Sequence, residues 1–324
     1  MLRKTTGVIL TFTLMAAVGV SAQEMVQVDP GVPVYQRGPV LSGNLTAVGS
    51  DSMVNLMVLW AEGFARHHPN VRMQVEGKGS GTAPPALIAG TAQLGPMSRA
   101  MRDSEIDAIE SRYGYKPTQL SVGVDVLAVY VHKDNPIQGL SLQEVDAVFS
   151  KVRRGGYPND VTTWGQLGLS GELARRPISM FGRNAASGTY AFFRDNALFR
   201  GDYKDTVKEQ PGSASVVQGV TEDIAAIGYS GIGYRTSGVR AIPLGKQVGG
   251  PHYAPNAENA ASGNYPLARH LYLYVVRDPR RPMDQLTREF LRFVLSREGQ
   301  EIVIKDGYLP LSSSIVQREL ARLD

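Results

Sequence analysis

Hydrophobic residues recur along this chain with two alternating periods. In "VRMQVEG", Val71, Met73 and Val75 alternate with polar residues, which predicts a strand with one buried face. The preceding "MVNLMVLWAEGFARHH" instead repeats its apolar residues at helical spacing, which predicts an amphipathic helix that ends before Pro69. Short strands and longer helices therefore follow each other closely in this part of the chain.

The same succession of strand, loop and helix occurs three times. We predict the strands in "NLTAV", "VRMQVEG" and "PISMF", and the loops that follow them read "GSDS", "GKGSGTA" and "GRNAASGT". Each loop is rich in glycine and hydroxyl residues and precedes a helical pattern, and Pro84 and Pro85 suit the first turn of the second helix. The three units are not tandem copies in sequence, so they represent one local arrangement that is used repeatedly.

Other segments extend the alternation to most of the chain. The patterns predict helices in "RDSEIDAIESRYG" and "MDQLTREFLRFVLS", and strands in "VGVDVLAVYVH" and "HLYLYVV". Ser141 and Glu144 have the spacing of a capping box at the start of "SLQEVDAVFS". Strands that alternate with helices predict an α/β fold with mostly parallel sheets.

Length and composition fit such a fold and exclude some classes of protein. The chain has 324 residues, enough for two packed lobes or one large domain, and its 43% hydrophobic and 20% charged residues are ordinary for a globular protein. The formal net charge is +4, and Arg3 and Lys4 contribute to it from a segment that we expect to be removed. The weak charge that remains does not indicate a nucleic-acid partner.

The N-terminus has the pattern of a secretory signal peptide. "MLRKTTGVILTFTLMAAVGVSAQ" has a basic start, an apolar run and small residues at Val20 and Ala22, which predicts a signal peptide over residues 1–22. The apolar run is short for a membrane span and is interrupted by threonines. Residues 23–43 are rich in Pro, Gly and Val without clear periodicity, which indicates an extended leader, with mobility of this leader an open alternative.

The absence of cysteine bears on the compartment in which we expect the protein. The chain contains no cysteine, so an exported form has neither disulfides nor a lipid anchor on an N-terminal cysteine. We therefore expect a protein of the bacterial periplasm that is stabilised by its hydrophobic core.

The three hydroxyl-rich loops favour a binding site for an anion. A helix N-terminus presents unpaired backbone N–H groups and the positive end of the helix dipole, which stabilise an anion without any lysine. Arg183 lies at the third loop, and its planar guanidinium can donate paired hydrogen bonds to a tetrahedral oxyanion. The hydroxyl and glycine residues of the loops are Ser50, Ser52, Ser80, Gly81, Thr82, Ser187, Gly188 and Thr189. The alternative for each loop taken singly is that Ser and Thr cap a helix and Gly permits a turn.

Two carboxylates could decide which anion is bound. Asp51 lies in the first loop, and Asp125 interrupts the apolar run "VGVDVLAVYV". A carboxylate accepts a hydrogen bond from phosphate, which keeps a proton near neutral pH, but repels fully ionised sulfate. The alternatives are a helix cap for Asp51 and a buried salt bridge for Asp125.

Two further segments carry polar residues next to apolar strands. "MSRAM" adds Ser98, a possible hydroxyl donor, and Arg99, which could balance the ligand charge, pair with one of the aspartates, or be solvated. In "AIGYSGIGY" we interpret Tyr229 and Ser230 as packing and turn residues rather than ligands.

The order of these motifs resembles a known family. "AVGSDSM", "GKGSGTA", "MSRAM", "VGVDVLAVYV", "GRNAASGT" and "AIGYSGIGY" follow each other as in the substrate-binding proteins of phosphate ABC importers. The resemblance covers roughly residues 44–310 and leaves the leader outside. Its most specific parts are the Arg–xxx–Ser–Gly–Thr element and the position of that element after a GSGT loop.

The resemblance implies the two-lobed fold of type II periplasmic binding proteins, with phosphate bound in a cleft between lobes joined by a hinge. We expect residues 44–130 and 264–324 to form lobe 1 and residues 131–263 to form lobe 2. One lobe would supply Arg183, Ser187, Gly188 and Thr189. The other lobe or the hinge would supply Ser50, Asp51, Ser80 and Asp125, and the full candidate set also includes Gly81, Thr82, Ser98 and Arg99.

Two positions depart from the family pattern. The better-known branch carries an aspartate directly after the serine of the "MSRAM" position, where it accepts the phosphate proton, whereas this chain has Arg99. Asp51 or Asp125 would then supply the acceptor, or the selectivity would be weaker. The second loop reads Ser-Gly-Thr, so either Ser80 or Thr82 could be the ligand.

Other function classes find less support in the sequence. The chain has no Gly-x-Ser-x-Gly elbow and no P-loop spacing, and its five histidines form no metal-binding motif, so we expect no enzyme, cofactor or metal. The alternatives are a binding protein for sulfate or another tetrahedral oxyanion, a secreted phosphatase, or an adhesin-like surface role. The expected partners are inorganic phosphate and the membrane permease of an ABC importer, with no nucleic acid and a monomeric chain.

Overall fold

A computed structural model describes residues 26–323 as two α/β lobes that are joined by long strands. The predicted signal peptide, residues 1–22, lies outside the described residues. The strand and helix patterns of the sequence are confirmed for all the segments quoted above, with shifts of a few residues at their ends.

The first lobe is built from both ends of the described chain. Its elements before the long central strand are β1 (Ser42–Gly49), α1 (Val54–His67), β2 (Asn70–Gly77), α2 (Ala83–Ala89), β3 (Gly95–Met97) and α3 (Asp103–Tyr113). The central strand is β4 (Thr118–His132). The elements that return to this lobe are β11 (Ala268–Val275), α9 (Gln285–Val294), α10 (Arg297–Lys305) and α11 (Ser313–Leu320).

The second lobe holds the elements between the two long strands. They are β5 (Leu140–Ser141), α4 (Leu142–Phe149), α5 (Gly171–Ala174), β6 (Ser179–Arg183), α6 (Gly188–Asn196), β7 (Lys208–Gln210), α7 (Ser213–Glu222), β8 (Ala226–Gly231), β9 (Val239–Ala241), β10 (Leu244–Gly245) and α8 (Ala257–Ala261). The predicted capping box opens α4: the Ser141 N–H donates to Glu144 Oε2 at 2.7 Å, and the Glu144 N–H donates to Ser141 Oγ at 3.2 Å.

One mixed sheet runs through both lobes. Its strand order is β3-β11-β4-β8-β6-β7, and β9 also pairs with β4. β4 pairs with β11 in the first lobe and continues to pair with β8 and β9 in the second. The expectation of mostly parallel sheets is wrong for these pairings, which are all antiparallel, and holds for β1–β2, β6–β7 and β6–β8. Two long strands that pass between lobes in opposite directions must pair in this way.

Each lobe has its own hydrophobic core. Trp60 and Phe290 are fully buried in the first lobe, and Trp60 Nε1 donates to the Gly299 carbonyl at 2.9 Å. Trp164 and Phe149 are fully buried in the second, in a cluster that is distinct from the first. The predicted boundaries between the lobes stay a prediction at the level of single residues.

The described part of the predicted leader, residues 26–43, is packed against the first lobe, and its last two residues already belong to β1. Val32 is buried in the core of this lobe, and Tyr35 OH donates to Glu289 Oε1 at 2.9 Å. The Leu41 N–H donates to Nδ1 of the buried His68 at 3.1 Å, and Nε2 of the same ring lies 2.8 Å from Tyr35 OH. These contacts do not favour the alternative of a mobile segment.

The hydrogen bonds of His68 to Leu41 and Tyr35 predict that the free energy of unfolding depends on pH. Burial lowers the pKa of His68 below its ordinary value of 6.5, so the ring stays neutral in the folded chain and accepts the Leu41 N–H. Because the unfolded chain takes up this proton at higher pH than the folded chain does, the free energy of unfolding should fall as the pH drops below about 6.5.

Urea unfolding of a His68→Gln variant tests this origin of the pH dependence. The variant should be less stable than the wild type near neutral pH, and its stability should fall less between about pH 7.5 and 5.5. His270, whose pKa is also lowered by burial, is present in both proteins and cancels in the comparison. Parallel pH profiles of the two proteins would show that His68 is not responsible.

Candidate functional site

The lobes touch each other where the three hydroxyl-rich loops meet. The Gly81 N–H of the first lobe donates to the Ala186 carbonyl of the second at 3.0 Å, and Ser52 Oγ lies 2.9 Å from Thr189 Oγ1. Gly79 has a φ of +109°, and a Cβ there would lie 2.5 Å from the Ala186 oxygen. The structure therefore has closed lobes, and only glycine permits this approach of the two backbones.

Gly188 lies against two hydroxyls of the opposite lobe. A Cβ at Gly188 would lie 2.7 Å from Ser98 Oγ and closer still to Ser80 Oγ. The two serines are fully buried and contact each other, with 3.3 Å between their Oγ atoms and a 3.1 Å hydrogen bond from the Ser98 N–H to Ser80 Oγ. The structure thus brings the second loop, the "MSRAM" segment and the third loop together.

The third loop opens α6 with a hydroxyl cap. Ser187 Oγ accepts from the N–H groups of Thr189 at 3.1 Å and Tyr190 at 3.3 Å, which satisfies two of the donors at this helix start. The helix is held in its lobe by Phe193, which stacks on Tyr229 with 3.9 Å between the ring centroids. The positive end of the α6 dipole therefore points towards the interface between the lobes.

Arg183 is a buried cation at the end of β6. Its side chain is 1% exposed, and its Nη1 donates to Ser213 Oγ at 2.8 Å and contacts Asp51 Oδ2 at 3.1 Å. Its Nη2 donates to the Pro211 carbonyl at 3.2 Å, and Nε has no hydrogen-bond partner within the described part of the chain. Burial lowers the pKa of Arg183, and the Asp51 carboxylate opposes this shift.

Asp51 reaches across the interface instead of capping its own helix. Its Oδ2 accepts from the N–H of Ser213, the first residue of α7, at 2.9 Å. No side-chain cap is made at the start of α1. The predicted capping role therefore applies to a helix of the opposite lobe, and Asp51 also pairs there with Arg183.

Asp125 forms the buried salt bridge that was one of its two predicted roles. Asp125 is 0% exposed, and its Oδ2 accepts from Nε and Nη2 of Arg269 at 3.0 and 2.7 Å. Its Oδ1 accepts from the Ile232 N–H at 3.3 Å. Arg269 also donates from Nη2 to Thr189 Oγ1 at 2.9 Å, so the pair contacts the third loop.

Three of the remaining candidate residues make their contacts away from the point where Gly188 meets Ser80 and Ser98. Arg99 forms a two-pronged ion pair with Glu105, with both N–O distances 2.7 Å, and its partner is thus neither Asp51 nor Asp125. Thr82 Oγ1 donates to the Gly79 carbonyl at 2.8 Å within its own loop. Ser50 is buried, and its N–H donates to the Pro96 carbonyl at 2.7 Å. Of the two possible ligands in the second loop, Ser80 is thus the one that faces Gly188.

Two site residues were not identified from the sequence. Arg269 is the second residue of the apolar strand β11, where a charged residue signals a buried partner, and Ser213 follows Gly212 at a helix start. Of the interpretation of Tyr229 and Ser230 as packing and turn residues, the turn is wrong, because both lie in the fully buried β8. The packing role is confirmed for Tyr229, whose OH also accepts from the Arg183 N–H at 3.1 Å.

Metal and membrane features are not found in the described range. Between residues 26 and 323, no group of three or more His, Asp or Glu side chains is placed to hold a metal ion. No helix in this same range combines the length and apolar character needed to cross a membrane.

Comparison with known proteins places the chain in a family. Residues 36–298 match the family model of the PBP superfamily domain. The chain is 51% identical over 314 residues to the phosphate-binding protein PstS of Pseudomonas aeruginosa, a match that covers 97% of each chain. It is 27% identical over 283 residues to the phosphate-binding protein PstS of Bacillus subtilis, which covers 86% of this chain and 84% of that relative.

Solved structures share the fold. A Clostridium perfringens structure with bound phosphate, described as a phosphate ABC transporter substrate-binding protein, aligns with a TM-score of 0.71 at 23% identity and covers 83% of this chain and 100% of its own. An ABC-type phosphate transport receptor from Vibrio cholerae aligns with a TM-score of 0.63 at 24% identity over 83% of this chain and 100% of its own. The chain therefore belongs to the PBP superfamily and, within it, to the family of the phosphate-binding proteins PstS.

Proposed function

We propose that this protein binds inorganic phosphate in the periplasm, closes its lobes around the anion and delivers it to an ABC-type permease. The observation that carries the proposal is the buried Arg183 guanidinium, whose Nε has no hydrogen-bond partner in the described range, beside the hydroxyls of α6 and α7. A 51% identical relative that is named a phosphate-binding protein supports the same ligand.

The chemistry of the site suits a tetrahedral oxyanion. Arg183 offers charge and directed N–H groups, and the helix start at Gly188 adds a favourable dipole. Hydroxyls from both lobes lie at the same point, as the contact of Ser52 with Thr189 illustrates. A ligand that contacts both lobes stabilises the closed form, so its binding shifts the population towards closure.

We assign the ligand proton to Asp51 rather than to Asp125. Asp125 is fully buried, and its two oxygens are already used by Arg269 and the Ile232 N–H. Both contacts of Asp51 use Oδ2, which leaves Oδ1 for a protonated oxygen of phosphate. Asp51 thereby takes the part of the aspartate that Arg99 replaces in the "MSRAM" segment.

The alternative functions, sulfate binding and phosphatase activity, would need different properties of the same site. Sulfate carries no proton at neutral pH, so Asp51 would repel it without any compensating hydrogen bond. A phosphatase would release phosphate from esters, whereas our proposal is binding without catalysis. Processing after Ala22, export to the periplasm, a monomeric state and the absence of a nucleic-acid partner remain part of this proposal.

Replacing Arg183 by alanine should weaken phosphate binding about a hundredfold, because two hydrogen bonds to a charged group together contribute roughly 3 kcal/mol. Isothermal calorimetry on the wild type should give one phosphate per chain. The control is Arg176→Ala, which removes a partly exposed arginine that pairs with Asp223 in the same lobe. Unchanged affinity of the Arg183 variant would refute the assignment of this guanidinium.

Competition with sulfate should identify the carboxylate that accepts the ligand proton. In the wild type, a large excess of sulfate should leave bound phosphate in place. Asp51→Asn should lose this discrimination, because an amide can donate to a deprotonated oxygen. Asp125→Asn should retain it while lowering the melting temperature, since it weakens a buried ion pair. The reverse pattern would assign the proton to Asp125.

Gly188→Ala should hinder closure without weakening α6, because alanine is the better helix former. The added methyl would meet Ser80 and Ser98 of the other lobe and should cost about 1–3 kcal/mol of phosphate affinity. Small-angle scattering with excess phosphate should give a larger radius of gyration for this variant than for the wild type. Gly81→Ala is the graded control, since its Cβ would lie 3.3 Å from the Ala186 oxygen. A variant as compact as the wild type would contradict the proposed steric block.

A further inference from the structure

Three turns of the second lobe lie side by side, and each presents an apolar side chain to solvent. We call residues 151–156, 199–201 and 246–249 the three-turn surface. Its exposed apolar residues are Val152, Phe199 and Val248, which are 50%, 36% and 53% exposed. A single apolar residue on a protein surface is ordinary, but one on each of three adjoining turns forms a shared feature.

The first two turns pack against each other through their apolar residues. A Cβ on Gly155 would lie 2.5 Å from the ring of Phe199, and a Cβ on Gly201 would lie 3.1 Å from a methyl carbon of Val152. Each apolar side chain therefore rests on a glycine of the opposite turn. The glycines allow the two turns to approach closely while the outer sides of Val152 and Phe199 stay in contact with water.

The third turn is joined to this pair through one glutamine. Gln143 Nε2 donates to the Gly155 carbonyl at 2.7 Å, and its Oε1 accepts from the Val248 N–H at 3.0 Å. Phe199 and Lys246 also line the same groove. The three apolar residues therefore belong to one continuous face of the second lobe.

Each turn also carries an exposed cation that has no carboxylate partner. These cations are Arg154, Arg200 and Lys246, and none of them forms an ion pair within residues 26–323. Arg154 Nη1 donates to the backbone carbonyl of Arg200 at 2.8 Å, which orients the guanidinium without neutralising its charge. Every turn thus combines one exposed apolar side chain with one unneutralised positive charge.

Three carboxylates lie beside the turns, and each is already paired with another cation. The pairs are Asp160 with Lys204 at 2.7 Å, Asp202 with Arg194 at 3.6 Å and Asp205 with Lys151 at 2.6 Å. Arg153 also contacts Asp160, at 3.8 Å. The carboxylates around the three-turn surface therefore leave the charges of Arg154, Arg200 and Lys246 available to an anionic partner.

The backbone of the first two turns is held in a conformation that suits glycine. Arg153, Phe199 and Arg200 have φ angles of +48°, +50° and +63°, and they are the non-glycine residues with positive φ in the described part of the chain. This left-handed conformation is disfavoured for residues with a Cβ and free for glycine. Such strain is typical of functional positions, so it supports a role for these side chains outside the fold.

We propose that the three-turn surface binds a membrane rich in anionic phospholipid, with its cations at the headgroups and its apolar residues inserted just below them. Exposed Lys and Arg are attracted to the negative surface of such a membrane, and adjacent apolar residues add to the binding. A protein partner would instead favour apolar side chains gathered at the centre of the interface, with charges at its rim. This inference goes beyond the proposed function and does not depend on phosphate binding.

Tryptophan fluorescence tests the insertion of the first turn. Trp60 and Trp164 are fully buried, so Val152→Trp adds an indole whose surroundings can be followed separately. Its emission should shift to shorter wavelength on addition of vesicles of phosphatidylglycerol and phosphatidylcholine, and should not shift with phosphatidylcholine alone. Val58→Trp, at an exposed position of α1 in the first lobe, is the matched control and should give no shift. A shift in both variants or in neither would overturn the proposal.

Cosedimentation with the same vesicles at low ionic strength tests the cations. Arg200→Gln together with Lys246→Gln should weaken binding about tenfold or more, because two attractive charges are lost. Neither side chain has a hydrogen bond or ion pair in the described range, so the melting temperature should be unchanged. The control is Arg72→Gln with Lys305→Gln, which removes the same charge from exposed positions of the first lobe and should leave binding nearly unchanged.

Equal losses in the two double variants would show a general attraction of a basic chain and overturn the assignment to the three-turn surface. Unchanged binding of the Arg200 and Lys246 variant would do the same. Failure of the wild type to bind either kind of vesicle would exclude the membrane and leave an acidic protein as the partner of this surface. Calorimetry with phosphate is a separate measurement, so the proposed function can hold or fail independently of these results.

Discussion

The antiparallel pairing of β4 with β11 is the constraint on which the two-lobed structure depends. These strands pass between the lobes, and each continues into a different hydrophobic core. The buried pair of Asp125 and Arg269 lies across them, where the chain changes from one lobe to the other. Removing two charges from water is costly, and the cost is offset only if the partners and their hydrogen bonds are complete. The pair therefore specifies one register of the strands more strictly than apolar residues would.

In the closed form, the loops between the lobes, like the paired strands, depend on buried polar groups that need partners. The interface between the lobes contains small residues and hydroxyls, and it is crossed by hydrogen bonds such as that of Gly81 to Ala186 and by the ion pair of Arg183 with Asp51. Buried polar groups of this kind stabilise a structure only when each has a partner. Arg183 reaches this interface with an Nε–H that no described residue accepts, and this is the donor that our proposal assigns to the bound anion.

The sequence predicted the local parts of this arrangement well. The three loops, the capping box of α4 and the apolar strand that contains Asp125 depend on residues close together in the chain, where periodicity and turn chemistry are informative. Asp125 was left with two possible roles because its partner Arg269 is 144 positions away. Asp51 could be identified as a cap but not as the cap of α7, since that contact spans 162 positions. Antiparallel pairing of the long strands also depends on which distant segments meet, and alternation of strands and helices does not determine this.

The glycines at the interface limit which substitutions the protein can accept during evolution. Gly79 and Gly188 face the opposite lobe at distances where an added methyl group would clash with it, so a substitution at either position disturbs closure. Substitutions one layer further out, at residues such as Arg269 that touch the inner hydroxyls, can shift these hydroxyls without a clash between the lobes. Related proteins would accordingly be expected to differ more behind the glycine loops than within them.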